Sequence, residues 1–206
     1  MSTIDEKALV QMAAKGNADA FEELVIAYQL QVYRLAFRIT GNAEDAADLT
    51  QEAFLKAWRG LPGFQFQSSF STWLYRLTSN VCIDFMRSAK QIRTVPLTFE
   101  DANGEEQTLE LRENAPTPED TMILSEEQEA LKQAFALLEP EHRQILTLRV
   151  VHELSYSSIA EILQVREGTV KSRLSRARES LRKNLLQIRN KAETKPSKTA
   201  GRRSRS

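Results

Sequence analysis

The chain has 206 residues, and its 41% hydrophobic and 27% charged content is typical of a globular protein. No apolar run approaches the roughly 20 residues that cross a bilayer, and the N-terminus lacks a basic and then apolar signal pattern, so we expect a cytoplasmic protein. The single cysteine, Cys82, excludes an internal disulfide, and its apolar neighbours predict a buried thiol. The two histidines have no cysteine or second histidine at ligand spacing, so we expect no metal site and no cofactor.

The equal totals of 28 basic and 28 acidic residues conceal a strong asymmetry along the chain. Residues 166–206 carry 14 basic and 3 acidic side chains, whereas residues 1–165 carry 14 basic and 25 acidic ones. A basic end of this kind indicates a nucleic-acid partner, and the acidic remainder indicates a different task.

Helical spacing of apolar residues dominates residues 1–95, and only 7 glycines and 6 prolines interrupt the whole chain. These features predict an all-α fold, with capping residues and glycines marking the helix ends. The predicted helices are a short one ending at Gly16, a long one capped by Asn17 or Asp19 and ending at Gly41, a third from Asn42 to about Gly60, and a fourth from Ser69 or Ser71.

A change of composition separates this helical block from a second one. The stretch Glu100–Glu129 holds 11 acidic residues and one base, with no sustained periodicity, so we predict a flexible acidic linker over residues 96–124. A second small helical domain follows over residues 125–188, and residues 189–206 form a basic tail that we expect to be disordered. Its predicted helices are Ser125–Leu138, Arg143–His152, Ser155–Leu163 and about Thr169–Ile188.

The third helix carries an apolar row on a face bordered by charge. Gln51, Leu55 and Trp58 follow one another at helical spacing. Such a row on an outer surface indicates a protein-binding face, and the alternative is packing against the other N-terminal helices. The charged residues beside it are Asp48, Glu52 and Arg59.

Aromatic and basic residues alternate between Phe54 and Arg93, which hold 8 of the 15 aromatics and six bases against one acid. This mixture suits single-stranded nucleic acid, because bases stack on rings while cations follow the backbone. Phe64 and Phe66, in the loop 63–70, are candidates for base contact, and core packing is the alternative. The following helix carries a line of polar residues, which either reads bases or is a solvated face. The line consists of Arg76, Asn80, Asp84 and Arg87.

The segment Leu154–Leu186 has the arrangement of a helix-turn-helix, with a turn over Gln164–Gly168. Its shared core is predicted from Ile159, Ile162, Val165, Val170 and Leu174. A helix fits the major groove, so Lys171, Ser172 and Ser175, which share one side, are the candidates for reading base edges. The alternative is a helical hairpin with a solvated basic face. The candidates for phosphate contact on this helix are Arg173, Arg176, Arg178 and Arg182. Arg149, on the preceding helix, is a further candidate, and the alternative is that it is a surface residue without a DNA contact.

Two parts of the sequence resemble a known family, the extracytoplasmic-function sigma factors of bacterial RNA polymerase. The second region of these proteins is similar to two successive stretches, DLTQEAFLKAWRGLPGF (Asp48–Phe64) and FSTWLYRLTSNVCIDFMR (Phe70–Arg87). LSYSSIAEIL and EGTVKSRLSRARESLR are similar to their fourth region. The two motifs occur in the family order, and the resemblance spans about residues 5–188.

The resemblance implies a role for each surface, and it implies core RNA polymerase (the β′ clamp helices and the β flap), promoter DNA and an anti-sigma factor as partners. The third helix matches the surface that docks on the β′ clamp helices. The implied polymerase-binding residues are Asp48, Gln51, Glu52, Leu55, Trp58 and Arg59. The implied residues that melt and read the −10 element are Phe64, Gln65, Phe66, Gln67, Ser68, Arg76, Asn80, Asp84 and Arg87. Those at the −35 element are Arg149, Thr169, Lys171, Ser172, Arg173, Ser175, Arg176 and Arg178.

The main alternative is a classical helix-turn-helix regulator, which would bind a palindromic duplex by itself as a dimer. A sigma factor would bind promoter DNA specifically only together with core polymerase. An enzyme is not expected, because the sequence contains no phosphate loop, plausible triad or metal cluster.

Overall fold

The computed structural model describes residues 6–93 and 118–193, and within these ranges every regular element is a helix, which confirms the all-α prediction. A 3₁₀ turn, Leu61–Gly63, follows the third helix, and a π-helical turn, Thr147–Val151, follows the sixth. No helix in the described ranges is both long and apolar enough to span a membrane. The helices are α1 Glu6–Ala14, α2 Ala18–Thr40, α3 Ala43–Gly60, α4 Phe70–Arg93, α5 Pro118–Ala136, α6 Pro140–Leu146, α7 Tyr156–Leu163 and α8 Glu167–Glu193.

Side-chain caps begin several of these helices where the sequence predicts them. The Asn17 side chain accepts a hydrogen bond from the Ala20 amide at 2.9 Å, so Asn17 rather than Asp19 caps α2. Asn42 caps α3, and Ser69 caps α4 by accepting from the Thr72 amide at 3.1 Å. Each cap satisfies an amide that the first helical turn leaves without a partner. Gly41 ends α2 with φ +78°, a left-handed conformation that glycine adopts without strain.

Three helices in the second half begin earlier than predicted, and α6 is one of them, since it begins at Pro140 rather than at Arg143. Helix α5 begins at Pro118, inside the predicted linker, because proline is well tolerated in a first helical turn, where its missing amide needs no partner. Helix α8 begins at Glu167, because the Arg166 carbonyl already accepts hydrogen bonds from the amides of Thr169 and Val170. The remainder of the predicted linker from residue 96 to 117, and the tail beyond residue 193, lie outside the described residues.

The described helices belong to two compact units. Among the described residues, the first comprises 6–93 with 139–177, and the second comprises 118–138 with 178–193. In the first unit α6 packs on α2, and α7 packs on α4. In the second unit, the Asn184 side-chain amide donates a hydrogen bond to the buried Ala134 carbonyl at 3.1 Å.

The N-terminal helices of the first unit share one apolar core. Its largest fully enclosed side chains include Leu24, Leu61 and Leu74, and full burial of such a side chain contributes about 1.5–3 kcal/mol. Cys82 is also fully buried, as predicted, and this burial, with a smaller effect of Glu52, raises the pKa of the thiol to about 12. The core cluster consists of Val10, Ala13, Ala20, Leu24, Val32, Ala53, Phe54, Ala57, Leu61, Phe70, Trp73 and Leu74.

Candidate nucleic-acid and protein-binding surfaces

A capped short helix, a tight turn and a long second helix form the helix-turn-helix. Ser155 caps α7 by accepting from the Ser158 amide at 3.1 Å, and Gln164 ends it in the left-handed region with φ +52°. The predicted core is confirmed at four positions, while Val165 is half-buried. The four fully buried positions are Ile159, Ile162, Val170 and Leu174.

Helix α8 buries one face and exposes the candidate DNA-reading residues on the other. Val170, Leu174 and Ala177 are buried at helical spacing, which leaves the remaining positions of these turns facing solvent. Thr169, at the start, is half-buried, and its carbonyl accepts a hydrogen bond from the Ser172 hydroxyl at 3.0 Å. The exposed candidates are Lys171, Ser172, Arg173, Ser175, Arg176 and Arg178, and Arg182 on the same helix is also exposed.

Arg149 has partners within the protein. Its Nη1 donates a hydrogen bond to the Leu154 carbonyl at 2.8 Å, and its guanidinium lies 5.3 Å from the centre of the Tyr156 ring. Both contacts fix the chain just before α7, so the side chain has a structural task that the sequence pattern does not reveal.

The loop between α3 and α4 is held by aromatic packing. The half-buried Phe64 ring lies 5.0 Å from Trp73 and 4.9 Å from Phe66, measured between ring centroids. Phe66 is 40% exposed and has φ +56°, an uncommon conformation for a bulky residue. Core packing therefore accounts for much of Phe64, whereas Phe66 presents its ring to solvent.

A cleft of about 350 Å³ opens beside this loop, within the size range of small-ligand sites. It brings together most of the loop candidates, and Gln67 also donates a side-chain hydrogen bond to Gln65 at 3.1 Å. One lining residue comes from the helix-turn-helix, Glu161, which the sequence analysis did not select. The lining residues are Gly63, Phe64, Gln65, Gln67, Ser68, Thr72, Trp73, Arg76 and Glu161.

The predicted polar line on α4 is exposed for most of its length. Arg76 is half-buried at the cleft, and Asn80 and Asp84 face solvent. Arg87 is exposed and pairs with Glu141 of α6 at 3.4 Å. A row that begins at an aromatic cleft and continues along an open helix face can follow an extended strand.

The outer face of α3 forms one wall of an apolar groove of about 520 Å³. Gln51, Leu55 and Trp58 line it, and Leu55 is 55% exposed although it is apolar. Asp48, Glu52 and Arg59 are exposed on the same helix, and Glu52 pairs with Lys56 at 2.8 Å. The whole groove is lined by Ala18, Phe21, Val25, Gln29, Thr50, Gln51, Phe54, Leu55 and Trp58.

The second wall of this groove, from α2, was missed by the sequence analysis. Phe21 and Val25 have the spacing of core residues, but both are only half-buried, and the Phe21 ring lies 4.9 Å from Trp58. One signal in the sequence indicates this wall. Gln29 continues the helical row of Phe21 and Val25 by one turn, but it is polar. A core row and a groove wall otherwise have the same period.

Comparisons with known proteins match both halves of the chain. The sigma-70 region 2 family matches residues 24–92, and the sigma-70 region 4 family matches residues 128–181. The chain is 34% identical over 182 residues to the ECF RNA polymerase sigma factor SigW of Bacillus subtilis (strain 168), which covers 88% of this chain and 97% of that protein. It is 36% identical over 181 residues to the RNA polymerase sigma-H factor of Pseudomonas aeruginosa, covering 87% and 93%.

A solved structure shares the fold. The sigma factor RpoE, in its co-crystal structure with the anti-sigma factor NepR from Bartonella quintana, has a TM-score of 0.58 and 23% identity, over 82% of this chain and 97% of that one. Because the sequence matches cover both regions, the chain belongs to the extracytoplasmic-function (ECF) RNA polymerase sigma factors.

Proposed function

We propose that this sigma factor uses three separate surfaces to direct initiation: the α2–α3 groove for core polymerase, α8 for −35 duplex, and the loop cleft with α4 for the −10 strand. The observation that carries the proposal is the pairing in one chain of an exposed basic helix with an aromatic cleft that continues into a polar row. The first suits paired DNA and the second suits unpaired DNA.

The groove suits a protein partner rather than DNA. Its lining is mainly apolar, and an exposed Leu55 beside the half-buried Trp58 has the character of an interface anchor. Exposed charges of both signs, Asp48, Glu52 and Arg59, surround it and suit a polar rim. The proposed occupant is the β′ clamp-helix surface of core polymerase, with the β flap contacting the helix-turn-helix domain.

The cleft suits one unstacked base. Phe64 and Trp73 supply ring surface, the polar groups of Gln65 and Ser68 can address base edges, and Arg76 supplies a cation for the backbone. Stacking on an aromatic side chain contributes about 1–3 kcal/mol per base, which offsets the few kcal/mol needed to unstack it. Asn80 then lies further along α4 in position to read a second base.

Helix α8 suits the major groove because its candidate side chains are exposed over consecutive turns. Lys171, Ser172 and Ser175 would read base edges, while Arg173 and Arg176 would neutralise phosphates and fix the register. Thr169 and Arg178 would extend this surface at its two ends. No chemistry is assigned to the chain, since nucleotidyl transfer belongs to the polymerase, and we propose that it acts in the cytoplasm.

An anti-sigma factor is the proposed regulator. A structural relative of this chain, RpoE, was crystallised with such a protein, NepR. A partner of this kind would act by covering the groove or the cleft.

Run-off transcription with core polymerase on genomic fragments tests the proposal. Adding the chain should create discrete start sites, and Leu55→Ala with Trp58→Ala should abolish them by weakening core binding. Leu30→Ala is the matched control, because Leu30 is 54% exposed on α2 but does not line the groove. Unchanged start sites, or specific binding of a palindromic duplex without polymerase, would contradict the proposal and favour a classical regulator.

A further inference from the structure

We infer that an apolar stripe on the outer face of α2 pairs two copies of this chain in solution, with the two α2 helices antiparallel. The stripe consists of Ile26, Leu30, Tyr33 and Phe37. It is separate from the α2–α3 groove, because none of its residues lines that groove. The inference goes beyond the proposed function, since it concerns the factor by itself and no step of initiation.

The stripe faces solvent although it is apolar. Ile26 is 62% exposed, Leu30 is 54% exposed and Phe37 is 40% exposed. Tyr33 is half-buried, and its ring stacks on the Phe37 ring with 6.1 Å between the centroids and 12° between the planes. The residues that α2 contributes to the core, such as Val32, lie on another face of the helix. The fold of one copy therefore does not require the stripe to be apolar.

The spacing of the stripe indicates a helix as its partner. Its positions are separated by four, three and four residues, which is the period of the seam between two packed helices. From Ile26 to Phe37 the seam is about 16 Å long, at a rise of about 1.5 Å per residue. Apolar residues that are scattered singly over a surface do not form such a row. A face of this length and width fits one helix.

The stripe is complementary to itself when the two helices are antiparallel. A two-fold axis between Leu30 and Tyr33 places Ile26 of each copy opposite Phe37 of the other. It also places Leu30 of each copy opposite Tyr33 of the other, so every layer pairs one aliphatic side chain with one ring. A parallel pair would instead place ring against ring and crowd the contact. Two-fold symmetry of this kind is the commonest arrangement of paired chains.

The charges beside the stripe favour the same arrangement. Glu23 and Arg34 are both exposed, and the eleven residues between their positions amount to about three full turns, so they lie on one flank of the stripe. In the antiparallel pair, Glu23 of each copy lies about 9 Å along the axis from Arg34 of the other. This separation is within roughly one Debye length at physiological salt, so the opposite charges attract. The stripe thus has both the shape and the charge pattern that a second copy requires.

Sedimentation velocity of the full-length protein tests the inference. A contact through one helix face is at the small end of protein interfaces, so we expect a reversible dimer with a dissociation constant on the order of tens of micromolar. Leu30→Ser should weaken this association roughly tenfold or more, because two-fold symmetry removes the side chain from both copies. Circular dichroism should show unchanged thermal unfolding, since the side chain is exposed.

Leu55→Ser is the matched control. Leu55 is a leucine with almost the same exposure as Leu30, 55% against 54%, but it lies in the groove on α3. This variant should associate like the wild type. A protein that stays monomeric at about ten times the expected dissociation constant would overturn the inference. Loss of association with Leu55→Ser but not with Leu30→Ser would assign the contact to the groove and also overturn it. Start-site selection is measured separately, so neither result decides the proposed function.

Charge reversal tests the antiparallel arrangement. Glu23→Lys and Arg34→Glu should each weaken self-association about threefold at low salt, because each variant places like charges opposite one another at both ends of the pair. A mixture of the two variants places opposite charges at both ends, so it should associate as tightly as the wild type. Sedimentation with one variant fluorescently labelled measures the mixed pair. A mixture that associates no better than either variant alone would overturn the arrangement.

Discussion

The proposed duplex-reading and strand-reading surfaces of this sigma factor are built in different ways. Helix α8 exposes its candidates by helical spacing alone, over a buried row that includes Val170 and Leu174. The loop cleft instead depends on rings contributed from separate elements, with Phe64 packed on Trp73. The spacing of residues along α8 therefore suffices to form the first surface, whereas the second forms only when separate elements pack together.

This difference indicates how each surface responds to substitution. A change on the exposed face of α8 removes one contact and leaves the helix intact, because the buried row is untouched. A change beneath the loop alters the core and the binding surface together. The following predictions use this contrast, from the largest expected effect to the smallest.

Trp73→Ala should reduce the free energy of unfolding by about 3–5 kcal/mol, the usual cost of removing a large buried ring. Trp73 is 9% exposed, and its ring contacts Phe64 and Phe70. Urea unfolding followed by circular dichroism measures the effect. Phe66→Ala, at the exposed end of the same ring group, should cost much less. Similar losses for both variants would mean that the loop is not anchored on the core.

Lys171→Ala should weaken holoenzyme binding to a −35 duplex by about 1–3 kcal/mol, the contribution of one good base contact. Its stability should not change, because the side chain is exposed. Electrophoretic mobility shift with wild-type and scrambled −35 duplexes measures the loss. A loss of single-strand binding to the same extent would show that the two surfaces do not act separately.

Arg173→Ala and Arg176→Ala should each lower the salt dependence of duplex binding, by about 0.9 in the slope of log K against log salt concentration. Arg149→Ala should leave that slope unchanged, because its guanidinium is bonded to the Leu154 carbonyl and packed on Tyr156. Titrations at several salt concentrations measure the slopes. A reduced slope for Arg149→Ala would instead assign this residue to a phosphate.

Acidification should destabilise the first unit slightly. Burial, with a smaller effect of Arg34, lowers the pKa of His152 below its ordinary value near 6.5. The packing of His152 against Tyr75 therefore contributes its full stability above about pH 6.5 and loses it as pH falls through that value toward the lowered pKa. The free energy of unfolding, measured by urea unfolding, should fall from pH 7.5 to pH 6.

His152→Gln should abolish this dependence on pH, and His142→Gln, at the other histidine, should not. Arg34 on α2 and Tyr75 on α4 are the titratable groups that bear on His152, so Arg34→Gln should reduce the effect. An equal pH response in the His152 variant would assign the response to groups other than this imidazole.

Features that depend on neighbours along the chain could be predicted from the sequence. The caps Asn17 and Asn42 and the terminating Gly41 act within one helical turn, so residue type and spacing suffice to locate them. The buried row of the helix-turn-helix follows from its period for the same reason. The helix-turn-helix was therefore predicted with its core, and only Val165 is less buried than expected.

Features that depend on residues far apart in sequence could not be predicted. The α2 wall of the groove has the period of a core row, and only the packing of α3 leaves Phe21 and Val25 half-buried. Glu161 lies at the loop cleft although about a hundred residues separate it from the loop. The bond from Arg149 to the Leu154 carbonyl is local, but it starts within the π-helical turn, which no pattern in the sequence indicates.

The most direct test of two separate DNA-reading surfaces is a footprint of holoenzyme on one promoter, with permanganate probing unpaired thymines at −10 and nuclease probing protection at −35. With Asn80→Ala, we predict that protection at −35 persists while permanganate reactivity at −10 falls markedly. Unchanged reactivity at −10, or an equal loss at both elements, would contradict the account.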